Sequence, residues 1–479
     1  MMGGFEISAG LNADKAFLVN HSDLINRIDP YYYKGTFHNL RKWLIAKNFV
    51  RLSTFVDSWN RGDGPRDGFY TENSKLGVYF LRVNNLQKHT IELEDVKYIN
   101  RIIHEKKLKR TQVTAGDVVF AISGTKDNLG TVSIIPNNIH EANLNSALVR
   151  FDLNKRIDKK FFCILFDLNF VRTQIEFTGK GAAQNNLNND EISSFLLPNL
   201  DLSTQKSLVK NYEAAQQKQQ QKQQQAQTLL NSIDTYLLNE LGITLPEQDS
   251  SLEKRMFTVP FSEATGLRLD SQFYKTEFQK LIEVISSGKH FKLKDVAEFS
   301  TEVWNQSDYF NETFPYIEIS EIELSTGEIV NVKQVSIVEA PSRAKMIVRQ
   351  GDIIISLTRP TRGAIAHNQL PGINIASTGF AVIRTLKNNT VSKEMLFLLL
   401  KMSSTLRQME QRATGGSYPA ITQEELGNIL LPCTEIPNQK KIVAHITQIR
   451  TQAKQLQTEA IQILNNAKTE IERMILGKV

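Results

Sequence analysis

Cations beside turn-forming residues recur at two matching places in this chain. His104-Glu105-Lys106-Lys107-Leu108-Lys109-Arg110 leads into Gly116-Asp117-Val118-Val119-Phe120, and Arg343, Lys345 and Arg349 lead into Gly351-Asp352-Ile353-Ile354-Ile355. Lys and Arg so placed can neutralise phosphates, a contact that supplies affinity and little sequence information. A solvated charged loop has the same composition, and the recurrence is what favours the phosphate reading. After each apolar strand comes a polar turn, Ser123-Gly124-Thr125-Lys126-Asp127-Asn128 in one place and Thr358-Arg359-Pro360-Thr361-Arg362-Gly363 in the other. Arg can make a two-pronged contact to guanine, and Asn or Gln to adenine. A third pair follows, Thr178-Gly179-Lys180-Gly181-Ala182-Ala183-Gln184-Asn185 and Thr414-Gly415-Gly416-Ser417-Tyr418-Pro419. Its glycines permit either a close backbone approach or an ordinary tight turn. The candidate DNA-contacting residues are therefore Lys106, Lys107, Lys109, Arg110, Lys126, Lys180, Arg343, Lys345, Arg359, Arg362, Ser417 and Tyr418.

Patterns for bond-making chemistry are incomplete. Asp29-Pro30-Tyr31-Tyr32 faintly resembles the Asp-Pro-Pro-Tyr motif of amino-methyltransferases, but it lacks the second proline and no Phe-x-Gly-x-Gly cofactor loop accompanies it. His104-Glu105 and His140-Glu141 begin like a zinc-protease helix, yet Leu108 and Leu144 stand where the second His belongs. Gly179-Lys180-Gly181 has neither the spacing nor the ending of a phosphate loop. No catalytic, metal or cofactor site is expected, so the sequence argues for binding and against an enzyme.

Hydrophobic residues at 41% and charged residues at 23% are ordinary for a protein with real cores, and 479 residues suit two to four domains. The net charge of +6 leans towards an acidic partner. Met1 to Leu11 lacks the basic and apolar regions of a signal peptide. Phe161–Phe166 and Met395–Leu400 are far shorter than the roughly 18 residues of a membrane span. Two cysteines, Cys163 and Cys433, make no disulfide framework, and a reducing, cytoplasmic setting is expected.

The elements that must position the polar turns are duplicated. Arg27-Ile28-Asp29-Pro30-Tyr31-Tyr32-Tyr33-Lys34 recurs as Arg268-Leu269-Asp270-Ser271-Gln272-Phe273-Tyr274-Lys275, and the Gly-Asp strand recurs 235 positions on. Leu197-Pro198 with Gln205-Lys206 recurs as Leu431-Pro432 with Gln439-Lys440, at an offset of 234. Such spacing means duplication of a whole domain rather than a short solenoid repeat. Short β-rich runs broken by Gly, Asn and Pro predict a mostly antiparallel region in each half. Helices are predicted over Lys159–Thr173 and Ser392–Gln411. The fold class is α+β, in two tandem similar domains.

Each half ends in a predicted long helix. Ile442, Ile446, Ile449, Ala453, Leu456, Ala460, Ile463 and Ala467 alternate steps of four and three, a heptad seam. The matching seam is Leu208, Tyr212, Ala215, Gln219, Lys222, Ala226, Leu229 and Ile233. Its middle is polar, but Gln and Lys are good helix formers and no Gly or Pro interrupts them. Leu241-Gly242 with Pro246 beyond marks the stop. An antiparallel pair within the chain would make a spacer of roughly 50 Å, on the order of 15 base pairs of DNA. A parallel pair between two chains would instead make a homodimer, and periodicity alone allows both.

The order of these motifs, duplicated along essentially the whole chain, resembles the specificity subunit of type I restriction-modification systems. The resemblance implies target-recognition domains over 1–203 and 262–436, a central spacer helix over 204–242, a connector over 243–261 and a C-terminal spacer helix over 437–479. It implies that the helices form an antiparallel coiled coil and that each domain reads half of a split sequence in double-stranded DNA. It also implies a subunit with no catalysis and no cofactor of its own, acting in defence against foreign DNA. Two adenine methyltransferase subunits would dock on it, with a nuclease-translocase subunit as an optional further member. The contrasting expectation is a stand-alone DNA-binding or scaffolding protein that homodimerises through its coiled coil. Lys180 with Gln184-Asn185, in place of Gly416-Ser417-Tyr418, departs from a shared loop contact.

Overall fold

A computed structural model describes residues 19, 24, 30–64, 69–72, 75–178, 185–247, 251, 256–260, 268, 270–308 and 312–477. The chain divides into two units, Met1–Gln220 with Ala460–Val479, and Gln221–Glu459. Arg27, Ile28, Asp29 and Leu269 of the repeated opening motif lie outside the described residues.

In the first unit one four-stranded antiparallel sheet has the order Val132–Ile134, Val118–Ala121, Leu148–Leu153, Val56–Arg61. In the second unit the corresponding order is Ile365–His367, Ile353–Ser356, Phe380–Leu386, Ala297–Phe299. A second sheet repeats as well. Lys97–Asn100, Gly77–Leu81, Ala142–Leu144 and Gln112–Val113 correspond to Lys333–Ser336, Thr313–Ile317, Ile373–Ser377 and Ala344–Arg349, with the middle pair parallel in both. The first unit adds one edge strand, Tyr70–Thr71. The duplication read from short motifs is thus a duplication of sheet topology.

The Gly-Asp strands sit at the centre of this plan because they are buried on both faces. Val118 and Phe120 pack against the helices while Val119 and Ala121 enter a second core. Ile353 and Ile355 divide from Ile354 in the same way. That division is the period of two inherent in a strand. The preceding glycines have φ of +85° at Gly116 and +84° at Gly351, a conformation glycine adopts without steric cost. Each following aspartate closes the turn: Asp117 Oδ2 accepts from Thr114 N, and Asp352 Oδ2 from Arg349 N, both at 2.8 Å. Lys159 Nζ donates to Gly116 O at 2.6 Å and Lys393 Nζ to Gly351 O at 2.8 Å, so a helix start is tied to each turn.

The two helices expected over Lys159–Thr173 and Ser392–Gln411 are each broken in two, as Lys159–Leu165 with Asn169–Thr178, and Lys393–Lys401 with Ser403–Arg412. The breaks have a tertiary cause. Glu472 accepts from Phe170 N at 2.8 Å, and Asp234 accepts from Ser403 N at 2.8 Å, so a distant carboxylate satisfies the first amides of each second helix. Both carboxylates come from the long helices. Further on, buried Gln174 and Gln408 clasp the backbones of Leu196 and Leu430 through both ends of their amides.

The long helices are Leu202–Glu240 and Ile436–Leu476, and the Gln-rich stretch is helical throughout. In the second unit Tyr236 lies 4.5 Å from His445 and Lys222 Nζ lies 2.7 Å from Glu459. Moving back along one helix moves forward along the other, so they run antiparallel. Ile233, Leu230 and Ala226 are buried there with Ile442, Ile446 and Ala453, while Leu229, Ile449 and Leu456 are partly buried against them. In the first unit Leu208 and Tyr212 share a core with Ile471 and Leu464. Ala215 and Ile463 are half-buried. The fold is α+β with an antiparallel coiled-coil pair of helices. Among the described residues, no helix is long and apolar enough to cross a membrane.

Candidate nucleic-acid interface

The two loops proposed to carry polar contacts are brought together in both units by the same backbone pairing. In the first, Ser123 pairs with Asn186 and Gly124 with Asn185. In the second, Thr358 bridges to Ala420, which also pairs with Thr414. One scaffold therefore presents two different sets of side chains.

The second unit's tip is the better defined. Arg359 has φ of +48°, a left-handed conformation uncommon for a residue with a side chain. Its amide donates to Pro419 O at 2.7 Å, which holds it there. Its guanidinium lies 4.5 Å from the centre of the Tyr418 ring, and Nη2 donates weakly to Ser417 O at 3.5 Å. Tyr418 is 71% exposed, well beyond an ordinary tyrosine that packs a core. Gly415 makes the return possible: its φ is +105° and an added Cβ would sit 3.1 Å from Tyr418 O. Arg359, Ser417 and Tyr418, expected from separate loops, are one cluster. Stacked in this way, Arg keeps its planar fork of donors oriented outward at low entropic cost.

Arg362 is not part of that cluster. It ends a short turn, Pro360–Arg362, and lines a cavity with Lys401 and Arg450. In the first unit Lys126 is exposed and paired with Glu176 at 2.6 Å. Its carbonyl accepts from Arg172 at 3.2 Å. Lys180 lies outside the described residues.

The basic run of the first unit is held firmly from below. His104 is buried against Asn143, which also donates to Leu108 O at 2.9 Å and Thr111 Oγ1 at 2.8 Å. Lys106, Lys109 and Arg110 project into solvent above this buried amide, and Lys107 Nζ lies 4.7 Å from the Phe69 ring. The run feeds the strand Gln112–Val113, which belongs to a different sheet from the Ser123 loop. In the second unit Arg343 is exposed and Lys345 half-buried on the strand Ala344–Arg349, again on the other sheet. Arg349 has a structural occupation, since it pairs with Glu302 at 2.6 Å. Arg384 joins Glu302 to Asp352, with 3.0 Å to the latter. Burial alone would raise the Glu302 carboxyl, but hydrogen bonds from Arg384 and Arg349 outweigh it and hold it below the usual range.

Sequence reasoning missed the Asn186 and Ala420 pairings, the left-handed backbone of Arg359 and the cavity cations Lys401 and Arg450. The offset of 234 residues was a signal for the last of these, because it aligns Lys401 with Asp167 and Arg450 with Gln216. Among the described residues there is no cluster of three or more metal-ligating side chains.

Comparison with known proteins adds an independent line. Residues 287–466 match the family model described as type I restriction modification DNA specificity domain. The type I restriction enzyme HindI specificity subunit of Haemophilus influenzae is 28% identical over 174 residues, which are 34% of this chain and 36% of that protein. The match therefore spans about a third of that relative's length. A chain from a structural study of assembly and conformational transition of the type I R-M system aligns over 90% of this chain and 96% of its own, with 17% identity and a TM-score of 0.46. The type I restriction-modification S subunit from M. genitalium aligns over 90% and 96%, with 13% identity and a TM-score of 0.38.

Proposed function

With residues 287–466 forming a DNA specificity domain of the type I restriction-modification kind, we propose that the whole chain is the specificity subunit of such a system. In this reading each unit recognises one half of a split target in double-stranded DNA. The chain itself performs no catalysis and serves as the platform for two adenine methyltransferase subunits, with a nuclease-translocase subunit joining where the system has one. The observation that carries the reading is the repeated pairing of the polar turn after the Gly-Asp strand with the second loop, Ser123 with Asn186 and Thr358 with Ala420. Matching scaffolds with different tips, Lys126 and the asparagines in one and Arg359 with Tyr418 in the other, suit two readers of two different half-sites. The basic residues Lys106, Lys107, Lys109, Arg110, Arg343 and Lys345 would hold phosphates and set register. The seam residues of the long helices would fix the gap between half-sites, and the protein would act in the cytoplasm.

The test is base-resolution mapping of adenine methylation in the native host with and without the gene. Loss of one bipartite motif, two short half-sites around a fixed gap, is the expected result. Retention of every motif in a host with active partner methyltransferases would rule the reading out.

A further inference from the structure

The duplication makes one difference between the units conspicuous. Asp167 in the first unit and Lys401 in the second occupy corresponding places at the end of corresponding helices, with opposite charge. Asp167 is fully partnered: His89 Nε2 at 2.9 Å, Lys468 Nζ at 3.0 Å and Tyr212 Oη at 3.1 Å surround it. Lys401 has no such complement. Its Nζ donates to the carbonyls of Leu324 at 2.8 Å and Gly363 at 3.4 Å, and among the described residues it makes no salt bridge. Beside it is a second cation, Arg450, where the first unit has neutral Gln216. Arg450 Nε is buried without a hydrogen-bond partner, and the guanidinium lies 5.0 Å from the Phe397 ring.

Both cations line a cavity of about 310 Å³ that also exposes Arg362, Asn231 and Ser325. The one carboxylate there, Asp234, already accepts from Ser403 N at 2.8 Å and Oγ at 2.5 Å. Burial, then the charge of Arg450, pushes the Lys401 amine down to about 8, against the opposing charge of Glu323. Burial likewise pushes Arg450 down, and only Glu328 opposes it. A buried cation ordinarily has an anion beside it, because desolvation without pairing is costly. Here three cations converge on a cavity with donors to spare and no carboxylate to spare.

We propose that this cavity is a binding site for a small oxyanion of the phosphate class, held by Arg450, Lys401 and Arg362. Guanidinium groups match the geometry of such oxyanions, and Asn231 and Ser325 supply further donors. The free ion and the phosphate of a small phosphomonoester share this chemistry. The site is separate from the Arg359–Tyr418 cluster and does not depend on the proposed reading of DNA.

The experiment uses the full chain, with inorganic phosphate and adenosine monophosphate as probes, against sodium chloride at matched ionic strength. Phosphate should raise the melting temperature with a logarithmic dependence on concentration. Arg450→Gln, which installs the first unit's residue, should lose that rise, while Arg359→Ala keeps it. A rise with adenosine monophosphate at lower concentration than with phosphate assigns a phosphomonoester; equal or weaker action assigns the free ion. A second readout needs no variant: acylation of Lys401, followed by mass spectrometry, should fall several-fold with phosphate while exposed Lys289 is unaffected. No rise above the chloride control, an equal rise in Arg450→Gln, or unprotected Lys401 would each overturn the proposal.

Discussion

Gln205 and Gln439, 234 residues apart, make the same three hydrogen bonds in the two units. Gln205 accepts from Asp158 N at 2.8 Å and donates to Arg156 O and Leu200 O at 2.9 and 2.8 Å. Gln439 accepts from Ser392 N at 3.2 Å and donates to Thr390 O and Thr434 O, both at 2.8 Å. Both amides are buried. Each ties the start of a long helix to the turn that opens the buried helix beside it, which explains why a polar pair survives inside an apolar seam.

Replacing either glutamine with leucine should therefore do more than remove bonds. It strands a buried amide and two buried carbonyls, at about 1–3 kcal/mol for each group left unsatisfied. Gln439→Leu should lower the urea midpoint and speed hydrogen exchange at Ser392, and Gln205→Leu should do the same at Asp158. Unchanged exchange at those amides would show that the bonds carry no weight.

The Asp167 network makes stability depend on acid in a defined direction. Burial pushes the carboxyl up, but the hydrogen bond and charge of His89, with the charges of Lys468 and Lys88, outweigh it and hold it well below the usual carboxylate range. A depressed folded pKa contributes stability above the unfolded value of about 3.9 and loses it as pH falls through the folded one. Asp167→Asn should cost about 3–5 kcal/mol at neutral pH, because Lys468 is left buried without its partner. The wild-type and variant curves should converge as pH drops below about 4. Parallel curves across that range, from denaturation at stepped pH, would contradict this account.

How far the sequence was legible follows from where each instruction resides. The Gly-Asp strands were readable because their cause is local: a turn glycine, a closing aspartate and a run of apolar residues. The seam from Ile442 onward was readable for the same reason. The breaks before Asn169 and Ser403 were not, since their cause is Glu472 and Asp234 on distant segments. Gln205 and Gln439 were visible as a repeated pair, but nothing local says that a glutamine will be buried. At the candidate interface, loops could be chosen by composition, yet the meeting of Arg359 with Tyr418 depends on pairing across some 60 residues. Arg362, close in sequence to Arg359, faces a different cavity, and short-range reasoning has no means of separating the two.

The two kinds of seam contact should behave differently. Ile446 is 1% exposed, so Ile446→Ala removes packing from a closed core and should cost about 2–5 kcal/mol. Lys222 and Glu459 are each 35% exposed, and an ion pair so open to solvent is worth about 0–1 kcal/mol. Lys222→Met should shift the denaturation midpoint only slightly, and less again at high salt. A large loss on removing Lys222 would mean that the polar middle is held by electrostatics.

Specificity gives the sharpest test of the Arg359–Tyr418 cluster. If Arg359 contacts a guanine through two bonds, Arg359→Ala costs about 1–3 kcal/mol of discrimination and relaxes one position of one half-site. Tyr418 touches the same guanidinium, 4.5 Å away, so Tyr418→Ala should relax that same position by a smaller amount, through loss of orientation. Tyr418→Phe keeps the ring and should keep the motif. Lys106→Ala, by contrast, should weaken binding equally across sequences and reduce its salt dependence, as loss of a phosphate contact does. The check is methylation mapping of each variant in a host lacking the wild-type gene. An unchanged motif in Arg359→Ala would remove it from base reading, and relaxation of a different position in Tyr418→Ala would separate the two residues into independent contacts.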